Sequence, residues 1–158
     1  MAVTSEQVRA ELVKDEPNYE AAAQLGTDAL PHLQRFVESG DPNLAPKAAY
    51  LAGRIGDSQA SPILELAATS DDAGIRVAAA AGVRYLPDEQ ADNVLLPLLD
   101  DDEPVVRKKA LEAVPTTLSQ DLADKVEVLQ EYDSEQALRE LAAEVFDRTS
   151  GQGGASTP

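Results

Sequence analysis

The sequence predicts an all-α fold, a right-handed α-solenoid (superhelix) of about five antiparallel helix pairs. Three observations predict it. The composition is 43% hydrophobic but only 4% aromatic, with no Trp, two Phe and four Tyr, so the core is left to Ala, Leu and Val, of which Ala and Leu favour helix. Strand-like alternation of β-branched residues is absent. Finally, the apolar pattern repeats: Leu44-Ala45, Ile75-Arg76, Val106-Arg107 and Leu138-Arg139 recur at spacings of 31, 31 and 32 residues.

The repeat extends through two helices of each unit. Four residues after each anchor stand Ala48, Ala79, Ala110 and Ala142, and eight after it Ala52, Val83, Val114 and Phe146. Offsets of 0, 4 and 8 share one helical face. In the second helix Leu33, Leu64, Leu95 and Val126 follow one another at intervals of 31, as do Pro31 and Pro62.

The expected helices, in order, are 5–14, 18–25, 28–38, 43–55, 59–69, 73–85, 90–99, 104–114, 120–131 and 135–148. Asp41, Asp71-Asp72, Asp101-Asp102-Glu103 and Asp133-Ser134-Glu135 precede first helices, where short acidic side chains cap N–H groups and complement the dipole. Gly26, Gly40 and Gly56 mark helix ends. Pro31, Pro46, Pro62 and Pro104 fall in first turns, where a missing N–H is harmless. Pro97 falls inside a second helix, predicting a kink or a late start, and Pro115 should shorten the helix before it. Residues 1–150 read as one domain: a capping unit at 1–40, where Pro17 breaks the register, repeats at 41–70, 71–101 and 102–132, and a capping helix at 133–150. The Gly-rich stretch 151–158 reads as a flexible tail.

Asp72, Ile75, Arg76, Ala79, Ala80 and Val83 in a first helix, with Ile55-Gly56-Asp57, Ala60, Pro62 and Leu64 at a junction, resemble HEAT repeats. The likeness is to the short HEAT-like type first noted in phycobilisome-lyase-related proteins, and it covers roughly residues 18–148. The resemblance implies a scaffold that binds other proteins. It also admits an accessory subunit or enzyme of the bilin-lyase-like type, or a DNA-acting glycosylase of the HEAT-like type.

Charge and chemistry narrow these. Twenty-nine acidic against 13 basic residues leave a net charge of −16, which repels phosphate backbones and anionic lipid. With no Trp to hold an exposed base, a nucleic-acid enzyme is disfavoured. No Cys excludes a disulfide framework and thiolate chemistry. No apolar run is long enough to span a membrane and no signal-peptide pattern opens the chain, so a cytoplasmic location is expected. A Lys-poor acidic surface also suits high salt, which screens its self-repulsion.

Individual candidates read as follows. His32 is a lone histidine without triad partners, and no catalytic role is expected. Asp100-Asp101-Asp102-Glu103 lacks the alternating spacing of a calcium loop and reads as helix caps, so neither a metal nor any other cofactor is expected. Tyr19 and Tyr50, 31 apart, read as packing at a repeat joint. The resemblance implies that Arg76, Arg107 and Arg139 join neighbouring units through turn aspartates, with Asp71, Asp72, Asp101 and Asp102 near at hand to receive them and Asp72 and Asp102 taken as the joint residues. The resemblance also implies that the second helices line a concave face where partners dock, and register places Gln34, Glu65, Leu96 and Glu127 in one row on them and Glu38, Thr69, Asp100 and Glu131 in another. Glu65, Leu96, Glu127, Glu38, Asp100 and Glu131 are therefore the expected partner-binding residues, suited to a protein with a basic surface or helix. A non-enzymatic interaction module is the function expected, with no nucleic-acid or membrane partner.

Overall fold

The computed structural model describes residues 2–153. Thr4 opens the first helix with a capping box: its hydroxyl accepts from the Gln7 amide while the Gln7 side chain accepts from the Thr4 amide. Among the described residues ten α-helices follow one another: α1 (Ser5–Leu12), α2 (Tyr19–Ala23), α3 (Leu30–Glu38), α4 (Ala45–Ile55), α5 (Ser61–Ala68), α6 (Ala73–Val83), α7 (Ala91–Leu99), α8 (Pro104–Ala113), α9 (Gln120–Tyr132) and α10 (Gln136–Gly153). Short 3₁₀ turns at Gly26–Ala29, Ser58–Ala60 and Asp88–Gln90 lead into α3, α5 and α7, whereas α9 starts directly from its Ser119 cap. No strand occurs among the described residues. The fold is all-α, with helices stacked as antiparallel pairs in a solenoid-like array.

Stacking is between like helices. First helices α4, α6, α8 and α10 pack in succession, and second helices α3, α5, α7 and α9 do the same alongside. The repeat positions are the core: Leu33, Leu64, Leu95 and Val126 are fully buried, as are Ala48, Ala79, Ala110 and Ala142. A core this rich in alanine lets backbones approach closely. The tightest approach joins α4 to α6, where a Cβ on Gly53 would overlap the Gly82 backbone. At the end of α4, Gly56 holds φ at 75° and closes the helix in the left-handed conformation that a side chain disfavours.

Prolines act as their positions dictate. Pro31, Pro46, Pro62 and Pro104 stand in first turns. Before Pro115 the chain leaves the helix, with Val114 at ψ 128° and α8 ending at Ala113. Pro97 neither ends α7 nor delays its start: the helix runs from Ala91 through it to Leu99. It sits near the C-terminal end, and Asn93, whose carbonyl loses that amide partner, is exposed to water. At the C-terminus α10 continues to Gly153, past the expected end at 148; residues 154–158 of the expected tail lie outside the described residues.

The glycine crossing generates a directional prediction. Gly53→Ala should destabilise by about 1–3 kcal/mol or more, because the new methyl meets backbone that cannot rotate away. Gly82→Ala should cost less, since its methyl would lie 3.2 Å from the Leu64 side chain and 3.3 Å from the Ala49 carbonyl. Urea unfolding of both variants, showing equal costs or the reverse order, would contradict this packing.

Candidate functional site

Two kinds of polar structure are built on this stack: joints between units, and an exposed face along the second helices.

Arg76 projects from the first turn of α6 into the turn before α8. Its Nε donates to Asp101 Oδ2 at 2.7 Å and its Nη2 to Asp101 Oδ1 at 3.0 Å, while Nη1 donates to the carbonyls of Ser70 and Asp71. Arg107 repeats this one unit on. Nε and Nη2 reach Asp133 at 2.8 and 3.0 Å, and Nη1 reaches the carbonyls of Asp101 and Asp102. Each aspartate also accepts an amide of its own turn, Glu103 on Asp101 and Glu135 on Asp133. Each carboxylate thus accepts three hydrogen bonds, which offset the cost of its burial. The second joint is the drier, with the Asp133 side chain only 1% exposed against 10% for Asp101.

Of the four aspartates near at hand only Asp101 receives an arginine through its side chain, and the second side-chain acceptor is Asp133. Asp72 caps its own helix, taking the Ile75 amide at 3.1 Å. Asp102 contributes only its backbone carbonyl to Arg107. The reason is positional: the joint uses the residue two before the N-cap of each first helix, where Asp101 stands before Glu103. In the preceding unit that position is Ser70, which takes the Asp72 amide as Asp101 takes that of Glu103. Opposite Ser70 the arginine column is interrupted by Ala45, so donor and acceptor are missing together.

Burial pushes the carboxyls of Asp101 and Asp133 upward, but their arginine partners and turn amides outweigh it and hold both below the ordinary carboxylate range.

The run Asp100–Glu103 is dispersed by these demands. Asp100 pairs with Lys125 of α9 through both oxygens at 2.8 Å, Asp101 takes Arg76, and Asp102 and Glu103 are exposed. Among the described residues no three His, Cys, Asp or Glu side chains are grouped as metal ligands would be. His32 ties the N-terminal segment to α3, its Nε2 lying 2.8 Å from the Val3 carbonyl.

On the second-helix face, Gln34 and Glu127 are exposed while Glu65 and Leu96 are half-buried. Glu65 accepts from the Ser61 hydroxyl at 3.1 Å, and Gln34 donates to Glu38 at 2.9 Å. Thr69, Asp100 and Glu131 form an exposed edge with Glu38. Between α7 and α9 the half-buried Leu96 lines a shallow depression with Lys125 and Val128. Periodicity alone passed over a further row: Leu66, Pro97 and Val128, successively 31 apart, are all exposed. Leu66 and Val128 are 38% and 49% accessible, so an exposed apolar row lies beside the acidic edge of Glu38, Asp100 and Glu131. Arg35 occupies the same register position on α3.

An aromatic row runs from α2 through α4 to the turn after α6. Tyr19 and Tyr50 meet edge to face at 4.7 Å, and Tyr50 and Tyr85 at 6.0 Å. Arg54 lies over the Tyr85 ring at 4.6 Å and donates to its hydroxyl. Hydrogen bonds from Tyr50 and Arg54 hold the Tyr85 phenol below its usual range. Tyr85 is 35 residues after Tyr50, one repeat plus one helical turn, a relation that a search at the bare period misses.

Compared with models of known protein families and with curated proteins, the chain matches none. The structure carries a generic helical-repeat arrangement of paired, stacked helices. Among the described residues no helix is long and apolar enough to cross a membrane.

Two predictions follow from the joints. Arg107→Ala should cost about 3–5 kcal/mol, because it strands a buried carboxylate. Arg76→Ala should cost about 1–3 kcal/mol, because Asp101 retains more water. Chemical denaturation that ranks them the other way would contradict the burial difference. With folded-state values depressed, the aspartates contribute fully above the unfolded carboxylate pKa near about 4, and that contribution is lost as pH falls through the depressed values. Unfolding free energy should therefore drop below about pH 4, and an Asp101→Asn, Asp133→Asn double variant, weaker at neutral pH, should drop less. Parallel pH curves for the two proteins would show that these carboxyls do not carry the acid sensitivity.

Proposed function

We propose that this protein is a non-enzymatic interaction module of the HEAT-like kind, working in the cytoplasm, whose second-helix face binds an amphipathic, basic segment of another protein. The observation that carries the reading is the exposed apolar row Leu66, Pro97 and Val128 beside half-buried Leu96, bordered by Glu65, Asp124, Glu127 and Glu131. Apolar side chains of a partner helix would desolvate on that row, while lysines or arginines on its flanks would meet the carboxylates. Electrostatics would chiefly set the association rate and its salt dependence, and the apolar row the lifetime of the complex.

Lys125 belongs to the same picture. By pairing with Asp100 it removes one carboxylate from the edge and screens the depression beneath Leu96. The basic partner is then directed toward Glu127 and Glu131, for which no ion pair is formed within the chain among the described residues. Nucleic acid is not a partner in this reading, because the face offers carboxylates where phosphates need cations.

An amphipathic helical peptide made only of Leu and Lys serves as a defined probe. The native protein should bind it, and Glu65→Lys with Glu127→Lys should weaken binding by about tenfold or more while the protein stays folded, with only the small loss of melting temperature that losing the Ser61 hydroxyl's acceptor brings. Reversal of Glu20 and Glu144, exposed residues outside this face, makes the same change in net charge and should have a much smaller effect. Val128→Ser should weaken binding with an unchanged salt slope. Equal losses from the two charge reversals would reduce the interaction to bulk acidity and remove this face as the site.

A further inference from the structure

The joints have a third donor. Arg139 occupies in α10 the position that Arg76 holds in α6 and Arg107 in α8. Its Nη1 donates to the Asp133 carbonyl at 2.6 Å, as Nη1 of Arg76 and Arg107 donate to Ser70 and Asp101. The other edge of the guanidinium, Nε and Nη2, which in both earlier joints grips an aspartate, meets no carboxylate among the described residues.

The side of α10 around that edge is unfinished in the same sense. Arg139, Ala143 and Phe146 lie on one helical face and are half-buried. Their counterparts one unit earlier, Arg107, Leu111 and Val114, are buried. Beside Phe146 a cleft lined by Leu118, Ala123 and Thr149 opens on the surface, with a volume of about 420 Å³. Where this chain lacks an acceptor it also lacks the arginine, as Ala45 opposite Ser70 shows. An arginine retained at Arg139 and already oriented by the backbone therefore calls for a carboxylate.

We propose that this side of α10 is an end-on docking edge for a helix–turn–helix segment of another polypeptide. The turn of that segment carries an aspartate, which Arg139 grips bidentately as Arg107 grips Asp133. The following helix covers Ala143 and Phe146 as α10 covers Leu111 and Val114, and an apolar side chain fills the cleft beside Phe146. Bidentate geometry and a planar donor select aspartate in a turn over a diffuse negative charge. A second copy of this chain is disfavoured as occupant, because each copy carries a net charge of −16. The edge lies on a different surface from the acidic second-helix face and takes a partner of opposite local charge, so the two readings fail separately.

The probe is a fluorescent peptide copying residues 119–150, which holds Asp133 between two helical segments and packs on α8 within the chain. Fluorescence anisotropy against the full-length protein should show saturable binding by about 200 µM. Binding should weaken by about tenfold or more with Arg139→Ala in the protein, and by a similar factor with Asp133→Ala in the peptide, the two losses not adding. The free protein should meanwhile lose no more than about 2 °C in Tm on Arg139→Ala. Binding that ignores Arg139 would mark exchange of the peptide for the chain's own α9 and α10 and would overturn the proposal. So would absent binding, or a loss of Tm as large as that of Arg107→Ala. Self-association in sedimentation equilibrium that disappears with Arg139→Ala would assign the edge to a second copy and overturn the choice of occupant.

Discussion

Arg107 reaches out of one helix pair and closes on Asp133 in the turn that begins the next, and the order of the stack depends on that kind of joint. Alanine-rich helix surfaces pack closely, yet dispersion is non-directional and small side chains interlock weakly. A helix pressed on such a surface could shift by a turn at little cost. The guanidinium removes that freedom because its planar fork accepts one arrangement of a carboxylate, and Nη1 fixes the fork to two backbone carbonyls. A buried ion pair contributes modestly to net stability, while misalignment that unpairs it is expensive. Geometrically the pair bridges one unit to the next.

Register is what turns separate helices into a surface. Gly53 and Gly82 bring α4 and α6 to backbone contact, and the second helices follow at the same repeat. Residues 31 apart, such as Leu66, Pro97 and Val128, then fall into a row without any direct bond between them. Leu66 and Val128 of that row are among the large apolar side chains the chain leaves exposed. Its net charge of −16 places carboxylates around that row and also opposes self-association.

Much of the fold was legible because helix pairs repeat the same local chemistry. Anchors at 44, 75, 106 and 138 marked the first helices, and Pro31 and Pro62 the second. Pro97 was harder to place, because a proline near the end of a helix is tolerated when water takes the carbonyl it leaves unpaired. The arginine donors stood out by period, but the acceptors did not. Asp101, Asp102 and Glu103 are all acidic, and only the fold shows that the joint takes the residue two before the cap rather than its neighbour. Lys125 reaching Asp100, and Arg54 reaching Tyr85, join helices through side-chain length, which periodicity does not encode. The row at 66, 97 and 128 was legible in principle, one residue beyond the row at 65, 96 and 127.

The central claim is that the arginine–aspartate joints couple neighbouring units rather than merely decorating them. A double-mutant cycle on Arg107→Ala and Asp133→Ala, read by equilibrium urea unfolding, measures that coupling directly. The account predicts a coupling energy of at least about 2 kcal/mol, with the double variant more stable than the sum of single losses implies. It also predicts a lower slope or a second transition in the Arg107→Ala variant, as α9 and α10 begin to unfold apart from the rest. Additive losses with a single unchanged transition would contradict it.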